Sequence, residues 1–166
     1  MLHKLSLMTL FIGSLAAGAA QADSAGIAER KDLTLALGNQ LAAATLTACH
    51  AQNRSAVVAV VDRSGHLVAL QRDDNVGPHN TLAAQRKAFT ALSTKTATSE
   101  LAKRAQSDPS SANLNTLDEL LLLGGGVPVL VDGQVIGALG VAGAGGSSID
   151  EGCANSSIEQ LIQSDE

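Results

Sequence analysis

Two tight turns, each lying between apolar runs, constrain the fold of this chain more than any other feature. DRSG at residues 62–65 separates two runs rich in valine and leucine, and Asp132-Gly133 separates two more. Such turn residues between β-prone runs predict hairpins. Strands joined this closely pair antiparallel, whereas a dinucleotide-binding domain alternates its strands with crossover helices. The strands are expected at residues 57–61, 67–70, 127–131 and 135–141.

Apolar residues at helical spacing predict helices around the two hairpins. The first helix is expected over residues 23–52, and a second is expected to be capped by Asn80 or Thr81 and to end near Lys95. A short helix follows, capped by Thr98 or Ser99, then a loop over residues 106–113. A last helix is expected to be capped by Ser147 or Ser148. The predicted fold class is α/β of the α+β kind: an antiparallel sheet of two hairpins flanked by helices. Pro128 lacks a backbone donor, so its strand is either an edge strand or begins near the proline.

Residues 1–22 have the pattern of a secretory signal peptide. A lysine precedes a short apolar run, and small residues then stand at the cleavage-site positions Ala20 and Ala22. We therefore expect the mature chain to be a single domain over residues 23–166, in the periplasm or secreted, with no membrane contact after cleavage.

Composition limits the classes of ligand. The chain has 11 Lys and Arg against 16 Asp and Glu, a net charge of −5, and no basic cluster. A nucleic-acid partner is therefore not expected. The chain has no Trp or Tyr, and Phe89 is the only aromatic residue after the signal peptide, which disfavours a site built from stacked aromatic rings.

The chain has two cysteines, Cys49 and Cys153. They are too far apart in sequence for a Cys-x-x-Cys redox motif. Either they form one disulfide or they are two buried thiols. We predict the disulfide, because export exposes the chain to oxidising conditions and both residues lie on apolar faces of predicted helices.

The glycine-rich segment at residues 124–146 superficially imitates a dinucleotide-binding loop. Gly143 and Gly145 fit that motif, but Ser148 stands where the third glycine is required, and no P-loop lysine follows. The alternative is that these glycines permit turns and close backbone approach. An anion site at the start of the last helix also stays open.

The histidines after the signal peptide show no metal-binding spacing such as H-x-x-x-H. His66 follows a turn and is interpreted as an exposed turn residue. His79 stands at a helix entry, where it either ligates a haem iron or only caps the helix. Asp62, Asp73 and Asp74 either bind a cation or end a hairpin in solvent.

Four blocks, in order, resemble the GlcG/HbpS family of haem-binding proteins. The first three are VVAVVDRSGHLVALQRDDNV, AAQRKAFTAL and LGGGVPVLVDGQVIGALGVAG, and the fourth is DEGCA. The resemblance covers nearly all of the mature chain and extends to the C-terminal domain of PduO-type adenosyltransferases. One departure is Ala142, where the family commonly has serine.

The resemblance implies a profilin-like fold, assembly as a homo-oligomer, and haem or another tetrapyrrole as partner. The chain is accordingly expected to be an exported, non-enzymatic haem-binding protein. The alternatives are an enzyme or accessory protein in haem breakdown or hydroxy-acid metabolism, and an oligomeric scaffold without ligand. We place the site where the first hairpin ends and the second helix begins, with His79 as the iron ligand. The other predicted site residues are Arg72, Arg86, Lys87 and Thr90.

Overall fold

A computed structural model describes Gly26 and residues 28–162, and the predicted signal peptide lies outside this part of the chain. The helices are α1 (Leu35–His50), α2 (His79–Thr94), α3 (Thr98–Ser107), α4 (Pro109–Ala112) and α5 (Ser147–Ile162). The strands are β1 (Val57–Asp62), β2 (Leu67–Arg72), β3 (Gly126–Val131) and β4 (Gln134–Ala142), with a 3₁₀ turn at Asn113–Thr116.

The strands form one sheet in the order β2-β1-β4-β3, and every neighbouring pair is antiparallel. Both predicted hairpins and the fold class are confirmed. β3 is an edge strand, as Pro128 predicted. Asp132 and Gly133 both have positive φ, 48° and 69°, which matches the twist that a two-residue hairpin turn needs.

Helices α1 and α5 pack on one face of the sheet and enclose the larger apolar core. Leu41, Val58, Val60, Leu139 and Val141 are completely buried there. Successive strand residues alternate between the two faces, so Val57, Ala59 and Val61 point to the other side, towards α2.

Helix α2 lies unusually close to β1 and β4, because only small residues separate them. Its buried face carries Ala84, Ala88 and Ala91. A Cβ placed on Gly140 of β4 would lie 2.0 Å from the Ala84 carbonyl oxygen. The glycine is therefore required for close approach of the helix backbone, not for a nucleotide.

Cys49 of α1 and Cys153 of α5 form a disulfide, with 5.3 Å between their Cα atoms. The predicted bridge is present, and it joins the two helices that share one face of the sheet. A buried hydrogen bond of 2.7 Å between the Thr45 and Ser157 hydroxyls links the same two helices.

The predicted start of the first helix is wrong. α1 begins at Leu35 rather than near residue 23, and the Thr34 hydroxyl accepts a hydrogen bond from the Leu37 N–H as its cap. Leu33 is buried in the core from outside the helix, and its N–H donates to the Ile136 carbonyl. Leu33 has the spacing of a helical apolar residue because it packs into the same core as the buried face of α1.

The predicted loop over residues 106–113 is also wrong, since α4 and the start of the 3₁₀ turn lie there. Asp108 caps α4 by accepting from the Ser110 N–H, and Pro109 is suited to a first helical position. The Ser110 hydroxyl, the Ser110 N–H and the Ser111 hydroxyl all donate to Asp108 and lower the pKa of its carboxyl.

Two predicted helix caps are wrong as well. α2 starts at His79, before Asn80 and Thr81, and the Asn80 amide donates to the Gly77 carbonyl. α3 starts at Thr98 with Ala97 at the cap position. The Thr98 hydroxyl instead donates to the Leu123 carbonyl and accepts from the Gly126 N–H. The hydroxyl that was predicted to cap α3 is therefore used in a tertiary contact.

Candidate functional site

Lys87 points from α2 into the protein interior. Its side chain is 2% exposed, and its Nζ donates to Asp150 Oδ2 at 2.8 Å and to the Val141 carbonyl at 2.9 Å. The other carboxylate oxygen of Asp150 accepts from the Ala144 N–H. This buried ion pair connects α2, the end of β4 and the start of α5, so the ammonium group is not presented to a surface ligand.

The three consecutive glycines pass beside this ion pair. A Cβ on Gly125, whose φ is +121°, would lie 2.5 Å from the Val141 carbonyl oxygen and 2.9 Å from Lys87 Nζ. A Cβ on Gly126 would lie 2.3 Å from the Lys87 carbonyl oxygen. The glycine segment therefore has a packing role around Lys87.

Thr90 is also buried and has two hydrogen-bond partners. Its hydroxyl donates to the Arg86 carbonyl at 2.7 Å and accepts from the Leu121 N–H at 2.8 Å. Thr90 thus fastens the segment before β3 to α2. The structure separates the predicted site residues into two groups, with Lys87 and Thr90 inside and the other three towards the surface.

His79 and Arg72 lie at the two ends of the segment that links β2 to α2. His79 is exposed as the first residue of α2, and its ring lies against Gly77. The Arg72 guanidinium donates to the Val76 carbonyl at 2.9 Å. Both residues therefore belong to the end of the hairpin where the site is predicted.

Arg86 lies on α2 and is half-buried. Its Nη2 donates to the Leu120 carbonyl at 2.7 Å, whereas its Nε is buried and has no hydrogen-bond partner among the described residues. A buried donor without a hydrogen-bond partner costs free energy. A ligand or a bound water that accepted from Arg86 Nε would remove this cost.

Arg86 lines a surface groove of about 410 Å³ between α2 and the turn of the first hairpin. We call it the Phe89 groove. Its apolar walls are Leu67, Leu82 and Phe89, and its polar groups include His66 and Arg86. Leu67 and Leu82 are 48% and 60% exposed. Large apolar side chains gathered at an open groove are typical of a ligand or partner surface.

A second cavity of about 270 Å³ adjoins the groove, because Phe89 lines both. Arg63, Ser64, Leu92 and Lys95 contribute to its lining. This cavity has two cationic side chains, and we call it the basic cavity.

His66 was interpreted from the sequence as an exposed turn residue, and its side chain is indeed 82% exposed. Its position at the border of a groove was not predicted. Leu82 and Arg86 come to its vicinity only through the packing of α2. The one local signal is that Leu67, directly after His66, is a large apolar residue beside a polar turn.

The carboxylates at the hairpin ends are engaged by the protein itself. Asp62 accepts from the Ser64 and His66 N–H groups, and Asp73 from the Ala56 N–H and the His50 ring. Residues 28–162 contain no group of three or more His, Cys, Asp or Glu side chains placed to hold a metal ion. No helix in this same range is long and apolar enough to cross a membrane.

The start of α5 borders a third cavity, of about 400 Å³, lined mostly by polar residues. Glu151 accepts there from the Ser99 hydroxyl at 2.7 Å, and its second carboxylate oxygen is buried without a hydrogen-bond partner. A carboxylate at this position opposes the binding of an anion at the helix start.

Comparison with known proteins identifies the family of this fold. A family described as "Haem degrading protein HbpS-like" matches residues 33–159. The chain belongs to this HbpS-like family. The resemblance noted from the sequence blocks is therefore confirmed.

Individual HbpS-like relatives agree with this assignment. Protein GlcG of Escherichia coli K12 is 37% identical over 110 residues, which cover 64% of this chain and 81% of GlcG. A crystal structure of HbpS is 37% identical with a TM-score of 0.77 and covers 84% of this chain and 97% of its own. A PduOC:heme complex is 27% identical with a TM-score of 0.70, covering 78% and 95%.

Ala142 is buried between the sheet and α2. It belongs to an apolar cluster with Val57, Ala59, Val76 and Ala84. An alanine methyl group needs no hydrogen-bond partner at this position, whereas a serine hydroxyl would.

Proposed function

We propose that the chain is an exported haem-binding protein. The observation that carries the proposal is the Phe89 groove, an open apolar site with histidine and arginine at its border. Membership of a family described by haem chemistry and similarity to a protein solved as a haem complex support the same ligand.

The residues around α2 fit the chemistry of haem. Haem has two broad apolar faces, an iron that imidazole nitrogen ligates, and carboxylates that cations bind. Leu67, Leu82 and Phe89 supply apolar surface, while Arg86 has a buried Nε without a partner. Bound haem would supply a redox-active iron, and the protein would supply an iron ligand and a partly water-excluded surface.

Of the predicted site residues, Arg86 lines the Phe89 groove, whereas His79 and Arg72 are exposed near the start of α2 and lie outside the groove lining. Lys87 and Thr90 would act indirectly, because their polar groups already bind Asp150, Leu121 and other protein atoms.

Haem titration of the purified mature protein tests this function. We expect a saturable Soret band with one haem per chain, weakened by Arg86→Gln. Lys103→Gln, an exposed basic residue on α3, is the matched control and should bind as the wild type does. Absence of saturable haem binding by the wild type would refute the proposal.

Haem breakdown is the competing function, because the matching family is described as haem degrading. The haem complex can be incubated with ascorbate in air and compared with free haem. A binding protein should keep its Soret band at least as long as free haem keeps its own. Protein-dependent loss of more than one equivalent of haem per chain would show that the chain is an enzyme.

Export is the remaining part of the proposal. The apolar run and the Ala-Gln-Ala site at residues 20–22 predict cleavage after Ala22. Intact-mass measurement of protein isolated from the periplasm or medium should give a chain that starts at Asp23. Recovery of only the full-length chain from the cytosol would contradict export.

A further inference from the structure

Resting on the proposed haem binding, we infer that the tetrapyrrole ring lies in the Phe89 groove, that His66 ligates its iron, and that its carboxylates point into the basic cavity. This assignment differs from the one predicted from the sequence, which gave the iron to His79.

The three described histidines differ in how free their rings are to bind iron. His50 Nε2 is within 2.9 Å of Asp73 and thus already has a carboxylate partner. His79 lies against Gly77 and does not line the Phe89 groove. His66 lines the groove and has no side-chain hydrogen bond within 28–162, and its nearest charged neighbour is Asp62.

Asp62 has the position of an orienting group for His66. Its Oδ2 lies 3.7 Å from His66 Nδ1, and its Oδ1 accepts from the His66 N–H at 2.9 Å. This separation is longer than a hydrogen bond, but a small rotation of the exposed ring would let Nδ1–H donate to Asp62. A carboxylate that accepts from one ring nitrogen leaves the other nitrogen to ligate a metal. His66 Nε2 is then the ligating atom.

The apolar walls account for where the ring lies. Leu67 and Leu82 are both about half exposed, and Phe89, the only aromatic residue after the predicted signal peptide, lies beside them. A flat apolar ligand in the groove would cover all three side chains. Burying their apolar surface would contribute hydrophobic free energy to binding.

The charges around Phe89 determine which way the carboxylates of the ligand point. Glu119 lines the Phe89 groove, where it repels carboxylates, whereas Arg63 and Lys95 line the basic cavity, which shares Phe89 with the groove. Arg63 is held in place by donating to the Val135 carbonyl at 3.1 Å. Lys95 ends α2 in a left-handed conformation and has no ion-pair partner in the described chain. Lys95 is therefore the free cation for a propionate.

Two probes separate the roles of these residues: haem, and protoporphyrin IX without metal. His66→Ala should weaken haem binding at least about tenfold, which corresponds to about 1.4 kcal/mol, and should shift the Soret maximum. The same variant should bind protoporphyrin IX as the wild type does, because that probe has no iron to ligate. Lys95→Gln should weaken both probes without shifting the haem band.

His50→Gln and Lys103→Gln are the matched controls, since both residues lie outside the groove and the basic cavity. Both should leave both affinities unchanged. Circular dichroism of every variant should match the wild type, because all the altered side chains are exposed.

Three outcomes distinguish the inference from the function on which it rests. If His79→Ala shifts the Soret band and His66→Ala does not, His79 ligates iron and the inference is overturned. If Lys95→Gln changes neither probe, the orientation is overturned. If the wild type binds neither haem nor protoporphyrin IX, the proposed function itself fails.

Discussion

At the scale of single residues, Lys87 is the least expected side chain of the core. Lysine is rarely buried unless its charge is paired, and here Asp150 and the Val141 carbonyl both accept from its ammonium group. The family block containing Lys87 suggested a ligand contact. The position instead holds three parts of the fold together.

Replacing Lys87 by methionine should therefore affect stability strongly. Lys87→Met leaves the Asp150 carboxylate buried without its cation, and breaking a buried pair in this way costs about 3–5 kcal/mol. Urea unfolding followed by circular dichroism measures the loss.

Two controls isolate the ion pair. The double variant Lys87→Met, Asp150→Asn removes the uncompensated charge while keeping an acceptor for the Ala144 N–H, so it should be more stable than Lys87→Met alone. Lys103→Met, at an exposed position, should change stability by no more than about 0.5 kcal/mol. Equal stability of Lys87→Met and Lys103→Met would contradict the buried-pair interpretation.

At the scale of elements, the contact between α2 and β4 depends on one missing side chain. Gly140→Ala would place a Cβ 2.0 Å from the Ala84 carbonyl oxygen, so the helix must move outwards. Overpacking of this kind typically costs about 1–3 kcal/mol, and thermal or urea unfolding would show it.

Gly152→Ala is the matched control for the same substitution. Gly152 lies within α5, and an added Cβ would meet no atom within 4 Å. Since glycine in a helix interior is destabilising relative to alanine, the free energy of unfolding of this variant should rise by about 0.5–1 kcal/mol. If Gly140→Ala and Gly152→Ala change the free energy of unfolding in the same direction, close helix packing does not cause the effect of Gly140→Ala.

The disulfide between α1 and α5 should contribute substantially to stability. The two cysteines are 104 residues apart in sequence, and in the chain-entropy model a loop of that length is worth about 4–5 kcal/mol. Reduction of the wild type should lower its unfolding midpoint, whereas Cys49→Ala, Cys153→Ala should not respond to reductant. Two free thiols in denatured, unreduced wild type would refute the bridge.

At the scale of the whole molecule, the helices cover the two faces of the sheet unevenly. α1 and α5 share one face, whereas α2 lies over β1, β4 and β3 on the other and leaves Leu67 of β2 half exposed. This uneven cover creates the Phe89 groove. Leu117, Leu123 and Leu130 are also close to half exposed elsewhere on the described surface.

We expect the mature protein to assemble as a homo-oligomer. Exposed leucines and two open sheet edges, β2 and β3, favour a closed symmetric assembly that covers them. Light scattering at micromolar concentration should give a mass that is a multiple of the chain mass. Leu130→Lys on the edge strand β3 tests whether that edge takes part, and a monomeric wild type would contradict assembly altogether.

The sequence by itself determined the two hairpins and the approximate helices, and it favoured an edge position for β3 and a disulfide over two buried thiols. The hairpins, the helices and the edge strand follow from turn chemistry, the periodicity of apolar residues and the missing donor of Pro128, which act over a few residues. Only the tertiary structure decided where α1 begins, why Lys87 is buried, and that His66 lies on the same groove as Arg86. Spacing tells which side chains share a face of a helix, but the partner of that face is set by packing between segments distant in sequence. For that reason the family block around α2 could be recognised from the sequence, but its buried residues, Lys87 and Thr90, could not be distinguished from Arg86 at the groove.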